Sequence, residues 1–334
     1  MRETQDEQPI EPSLPIVDPH MHMWDLSPAR GTRQATQDFP LPEMFEVIAR
    51  SGHNVTHTVF LECHAMYRQD GPLELRPVGE VEFANAIGAM GDSGNYGACR
   101  VAHRIVGSAD PLLGERIKPV IEAHLAAAGE RFCGMRFATY FSEAGMFGGP
   151  CDPSNRGLMR NPLFYQVAHI LAKMDLSLDV WCFHSQLDEL IDLATAVPNL
   201  TIILNHIGTP EKLGVYAGRE EEVRREWFGK LVELARRPNV VIKLGGLGMD
   251  LMGSRLPPAA SEVLAARWRP YIENCIEAFT PQRSMFESNF PPDGSAGSYG
   301  AVWNAFKRIV AGASADEKTA LFSGTASRVY RISV

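Results

Sequence analysis

Val240-Val-Ile-Lys-Leu244 (VVIKL) is a short run rich in β-branched side chains, and Thr201-Ile-Ile-Leu204 (TIIL) is another of the same kind. Neither alternates polar with apolar residues. Each therefore reads as a strand buried on both faces, which suits a parallel sheet covered by helices. Six further runs of this type occur, at Leu14–Asp18, Thr56–Glu62, Arg104–Gly107, Gly134–Phe137, Leu178–Trp181 and Ser284–Phe286. Between them lie stretches with apolar residues three and four apart, such as Pro111–Ala128, Asp188–Ala196, Glu220–Arg236 and Ser261–Ala278. A last amphipathic helix is expected over Tyr299–Val310, and Ser314 with Glu317 forms a capping-box pattern that opens a closing helix. Eight strand–helix units predict an α/β fold, a (β/α)8 TIM barrel, as a single domain over residues 14–334 behind a flexible leader at 1–13. An open doubly wound sheet is the alternative. Against it, the first strand lacks a G-x-G-x-x-G turn and the chain has no G-x-x-x-x-G-K-[ST].

The composition narrows the function. The chain has 334 residues, 45% hydrophobic and 22% charged, as a globular protein has. Its net charge of −8 and its scattered lysines and arginines disfavour nucleic acid as a partner. No apolar stretch approaches the roughly 18 residues of a membrane helix, so no membrane partner is expected. The start, Met1 to Leu14, is polar and acidic and does not read as a signal peptide. Six cysteines without a C-x-x-C pair suggest a reduced, cytoplasmic setting. No interface signature is visible, and a homodimer is left open.

The sharpest local feature is VDPHMHMWD, Val17 to Asp25, at the end of the first strand. Side chains two apart in a strand face the same way, so His20 and His22 project together into the barrel mouth. Such a pair is half a metal site, or a binder of an anionic substrate without metal, or simply two packed histidines. The position weighs against the last reading, because active sites of these barrels lie at the C-terminal strand ends. Other strand ends carry polar groups too: Glu62 with His64, Tyr67 and Arg68 close behind, Arg136, His184, Asn205 and His206, and the run MFESNFPPD with Glu287, Asn289 and Asp293. Trp24 is a candidate wall of the pocket. A buried guanidinium at Arg136 needs a partner, and a carboxylate or carbonyl of the substrate is expected to supply it in preference to a buried ion pair. The turn KLGGLGMD, Lys243 to Asp250, reads as a flexible loop that could also bring backbone N–H groups near an anion. No G-x-S-x-G serine elbow is present.

With these residues in place the chain resembles the amidohydrolase superfamily, in the branch called amidohydrolase 2 that includes lactonases related to 2-pyrone-4,6-dicarboxylate hydrolase and fuconolactonase. The motifs that carry the likeness are VDPHMHMWD, GMRF, LNHIG and MFESNFP, in that order over almost the whole chain. The resemblance implies a distorted (β/α)8 barrel with hydrolysis or carbon–carbon cleavage at its rim. It also implies that His20, His22 and His184 are metal ligands if one Zn²⁺ is bound, the family having both zinc-dependent and metal-free members, and that Arg136 and His206 hold or polarise the substrate. One position departs. Where the family pattern has an aspartate, this chain has Asn289, whose carboxamide cannot take a proton from water.

These readings converge on a hydrolase that opens a small carboxylated or hydroxylated lactone by attack of water. Arg136, with Arg68, Trp24 and Tyr67, would bind the substrate. The proton taken by the missing aspartate would go to Glu62 first, or to Glu287, Asp293 or a histidine, with His206 and Asn289 completing the catalytic group. The alternatives are a zinc-dependent decarboxylase or hydratase of an unsaturated or aromatic acid, and a pseudoenzyme that only binds a small molecule. Rim loops at Phe141–Arg160 and Gly253–Ala260 would set specificity.

Overall fold

Each of the eight apolar runs pairs with the next in the computed structural model, which describes residues 7–24, 41–143, 145, 150–249 and 258–333. The strands are β1 (Ile16–Met21), β2 (Val55–Leu61), β3 (Arg100–Gly107), β4 (Phe132–Ala138), β5 (Ser177–Trp181), β6 (Ile202–Leu204), β7 (Val240–Leu244) and β8 (Ser284–Phe286). All neighbours are parallel and the order follows the sequence. The helices between them are α1 (Leu41–Ser51), α2 (Val78–Asp92), α3 (Ile117–Ala128), α4 (Pro162–Lys173), α5 (Leu187–Ala196), α6 (Glu220–Ala235) and α7 (Ser261–Phe279). After β8 come α8 (Tyr299–Ile309), α9 (Ala315–Thr319) and α10 (Thr325–Tyr330). This is the eightfold barrel that the strand count predicts. Among the described residues no helix is long and apolar enough to cross a membrane.

Backbone and side-chain bonds, those of Asp18 among them, join the first strand to the last. Met21 bridges Phe290 in parallel, and the His22 amide donates to the Phe290 carbonyl at 2.9 Å. Asp18, buried on β1, accepts the Ser288 amide at 3.1 Å on Oδ1 and the Tyr299 hydroxyl at 3.0 Å on Oδ2. One carboxyl thus ties the first strand to the last and to α8. Burial pushes it up to about 6.

Three boundaries differ from the sequence reading. β1 continues to Met21, three residues beyond Asp18, so His20 lies within the strand. β3 starts at Arg100, earlier than the apolar run. The helix expected from Pro111 begins only at Ile117, because Gly114 has φ +55° and starts a separate 3-10 turn that a continuous α-helix cannot include. Of the leader expected at 1–13, residues 1–6 lie outside the described ones, and the rest is pinned. Ile10 donates its amide to Asn304, Glu7 accepts from Ser261 and Asn304, and Lys307 donates to the carbonyls of Ile10 and Glu11.

The N-terminal mouth of the barrel is filled by Val17, Val59, Val106, Val241 and Met285 with Ala326, Tyr330 and Ile332, so the closing segment at α10 plugs the end opposite the strand tips. The plug is entered through the Ser314–Glu317 capping box at the start of α9, with reciprocal bonds of 3.3 and 2.8 Å. Ser314→Ala removes one of these and is expected to lower the unfolding free energy by about 1 kcal/mol, read from the urea midpoint. An unchanged midpoint would show that α9 does not depend on its cap.

Candidate active site

At the C-terminal end of β1, His20 and His22 are both buried, and their Nε2 atoms face each other at 3.1 Å. His22 Nδ1 donates to the Leu61 carbonyl at 2.9 Å, which leaves its Nε2 as a lone pair. Trp24 lies against the His22 ring, with centroids 6.2 Å apart. Both imidazoles are held well below the ordinary histidine value, by burial first and then by a neighbouring cation, Lys243 for His20 and Arg136 for His22. They are neutral at pH 7.

Glu287 follows the last residue of β8 and is fully buried. Its Oε1 accepts His206 Nδ1–H at 2.7 Å and the His206 amide at 3.1 Å. Its Oε2 lies 2.7 Å from His20 Nδ1, yet has no aligned donor. One carboxyl thus reaches two imidazoles. His206 and Ile207 both have φ near +53°, a left-handed turn that swings the His206 ring toward Glu287. The turn after β7 makes room: a Cβ at Gly245 would come within 2.4 Å of Glu287 Cγ, and one at Gly246 within 2.5 Å of the His206 ring. The glycines of KLGGLGMD are therefore a close-approach surface, where a flexible loop was expected; Asp250 lies outside the described residues.

The cations in the barrel are already paired. Arg136 donates Nε–H to Glu62 Oε1 at 2.7 Å and Nη2–H to the Glu62 carbonyl, while Nη1 sits 3.2 Å from His20 Nε2. This corrects two expectations. The partner of Arg136 is Glu62, where a substrate group was expected. Burial is the largest influence and would raise the Glu62 carboxyl, but the charge and hydrogen bond of Arg136 together with His64 hold it below its ordinary value, so Glu62 is a counter-ion and a poor base. Lys243, which the sequence reading left inside an apolar strand, is also fully buried. It donates to Asp179 Oδ1 at 2.8 Å, with Nζ 3.3 Å from His20 Nδ1.

Other candidates fall elsewhere. Arg68 pairs with Glu82 at the surface, and the Tyr67 hydroxyl bonds His64 Nδ1 at 2.9 Å. His184 is buried against Glu211 and Tyr216, apart from the first-strand pair. Among the described residues, the one group of three or more histidine, cysteine, aspartate or glutamate side chains whose ligand atoms lie within 4.8 Å of one another is His20, His206 and Glu287. This set, with Glu287 Oε2 unsatisfied, could hold a metal ion; it shares only His20 with the expected trio of His20, His22 and His184. Asn289 donates to Asp293 Oδ1 at 2.8 Å. Trp181, T-shaped to His206 at 5.4 Å and packed on Tyr140 at 4.6 Å, adds an aromatic wall that sequence reasoning missed. Of the rim loops, residues 144, 146–149 and 253–257 lie outside the described ones.

A family model described as Amidohydrolase matches residues 17–332. The uncharacterized protein y4mH of Sinorhizobium fredii is 31% identical over 336 residues, covering 96% of this chain and 99% of that protein. An L-fucono-1,5-lactonase of Burkholderia multivorans is 33% identical over 163 residues, 47% of this chain and 52% of its own. Among solved structures, an amidohydrolase from Burkholderia multivorans with bound zinc has the same fold, with a TM-score of 0.73 at 22% identity over 95% of this chain and 99% of that one.

Asp293 allows a check on these electrostatics. Burial, aided by the nearby Glu287, pushes its carboxyl from 3.8 up to about 8. Between those values the folded protein keeps a proton that the unfolded chain has released, so this contribution to stability is full at acid pH and is lost as pH rises toward 8. Asp293→Asn cannot ionise. Its unfolding free energy is expected to fall less steeply than that of the unmutated protein between about pH 5 and 8, by up to about 1.4 kcal/mol per pH unit. Equal slopes in urea titrations would contradict the assignment.

Proposed function

The chain belongs to the amidohydrolase family and is a hydrolase, and we propose that it opens a small lactone carrying hydroxyl groups by attack of water on the ring carbonyl. The observation that carries this reading is the Glu287–His206 pair. With Nδ1–H given to Glu287 at 2.7 Å, His206 presents Nε2 as a lone pair able to take a proton from water. Glu287 then stabilises the imidazolium that forms, as the carboxylate of a hydrolytic triad does. This supplies the base that Asn289 cannot be.

Attack turns the carbonyl oxygen into an oxyanion, which N–H donors aimed at it stabilise. Arg136 Nη1, beside His20 and held rigid by Glu62, is the donor proposed for that role. Collapse of the tetrahedral intermediate breaks the ring C–O bond, and His206 returns the proton to the leaving oxygen. A zinc ion, when bound by His20, His206 and Glu287, would lower the pKa of a bound water and polarise the carbonyl.

The balance of charge supports a hydroxylated substrate over a dicarboxylate. Arg136 and Lys243 are neutralised by Glu62 and Asp179, and Glu287 adds one more carboxylate. A second anion would face an excess of negative charge. The Trp181 and Tyr140 rings suit the apolar face of a sugar-like ring. The partial likeness to an L-fucono-1,5-lactonase points the same way.

The test is a pH-indicator assay on a panel of aldonolactones and a pyrone dicarboxylate. Turnover of hydroxylated lactones above the dicarboxylate is expected. A preference for the dicarboxylate would reverse the substrate assignment, and no turnover of either would remove the lactonase reading. Glu287→Gln is expected to lower kcat/KM by roughly 10²–10⁴ while Glu62→Asp, which keeps the Arg136 charge paired, costs far less.

A further inference from the structure

The His20–His206–Glu287 group already has a cation beside it. Lys243 projects inward from β7 at the same strand parity as Val241, and its Nζ lies 3.3 Å from His20 Nδ1, the nitrogen that Glu287 Oε2 approaches at 2.7 Å. The ammonium is locked from below. Asp179 on β5 accepts it at 2.8 Å, and the same carboxyl accepts Asn205 Nδ2 at 2.7 Å and the Tyr330 hydroxyl at 3.1 Å. Tyr330 belongs to the C-terminal plug, so a chain of side-chain bonds, all fully buried, runs from the closed end of the barrel to His20.

We propose that Lys243 is the resident cation of this group: its ammonium takes the His20 Nδ1 lone pair that a metal would need, and so positions His20 and keeps the affinity for zinc low. The bonds on the far side of the ring are consistent with this. With Nδ1 accepting from Lys243, a neutral His20 carries its proton on Nε2, which faces the His22 Nε2 lone pair at 3.1 Å. Arg136 Nη1 also lies 3.2 Å from that nitrogen, but a guanidinium only donates, so with Nε2 protonated the contact is not a hydrogen bond and the Nη1 hydrogens are left for a substrate oxygen. Glu287 Oε2 then lacks an aligned donor although His20 Nδ1 is near, as observed. A divalent ion in the same place would meet an ammonium within about the distance at which like charges repel strongly in a dry interior. Lys243 is thus a positioning residue that replaces the charge of a metal without its open coordination position.

The inference rests on the site of the proposed lactonase, but its readout is metal binding and tautomer state, which are independent of any substrate. Zinc affinity is measured by competition with a chromophoric chelator in the unmutated protein, in Lys243→Arg, and in Lys243→Met combined with Asp179→Asn, which removes both members of the ion pair and leaves no unpaired buried charge. The double variant is expected to bind zinc at least ten-fold more tightly, and Lys243→Arg to stay within about three-fold of the unmutated protein. Equal or weaker affinity in a folded double variant would overturn the proposal. Should that variant not fold, ¹⁵N NMR of the imidazoles in the unmutated protein decides: an Nε2–H tautomer at His20 is the expected result, and an Nδ1–H tautomer would overturn it.

Discussion

The interior of this barrel depends on pairing charge that cannot reach water. Arg136 and Lys243 are buried cations, and a guanidinium or ammonium in a dry interior is tolerated only beside a carboxylate with the remaining hydrogen-bonding capacity used. Glu62, at the end of β2, and Asp179, on β5, provide this from two strands away. The pairings fix four side chains inside the barrel, and the histidines settle between them. Their neutrality is a result of that arrangement: burial and two adjacent cations both oppose a third positive charge.

The same constraint explains how the site can do without the aspartate of the family pattern. Glu287, two residues before Asn289, is the only one of the three inward carboxylates in this cluster that lies against imidazoles in place of a cation, so it can act on a proton. Its reach to His206 exists because Gly245 and Gly246 leave no side chain in the way. Asn289 takes a different part, bonding Asp293 beneath the β8 turn. In the proposed mechanism His206 is the base and its supporting carboxylate, Glu287, lies two residues before the usual position on the strand end, so the hydrolytic character of the family is compatible with the substitution.

Much of this was legible in the sequence because it depends on local pattern. Parallel-sheet strands are recognisable as uninterrupted apolar runs, the capping box at Ser314 by its spacing, and His20 with His22 by the two-residue period of a strand. Residues that act through partners far along the chain were not legible in this way. Glu62 reads as a free carboxylate until Arg136, seventy-four positions later, is seen beside it. Lys243 vanished into VVIKL, and Asp179 into the run at Leu178–Trp181. A signal was present in both, a single charge of opposite sign in the middle of an otherwise apolar strand, which in a barrel must find its counterpart across the interior.

The sequence by itself determined the eightfold alternation, the strand whose tip carries two histidines and the loss of the usual aspartate, because periodicity and residue type are properties of neighbours in the chain. Only the tertiary structure decided which carboxylates are counter-ions and which one meets imidazoles. That choice is made by closure of the barrel, which brings side chains of β4 and β2, of β7 and β5, and of β1 and β8 to one another in its interior. Ionic function in a buried site depends on the partner, and the partner is set by the fold.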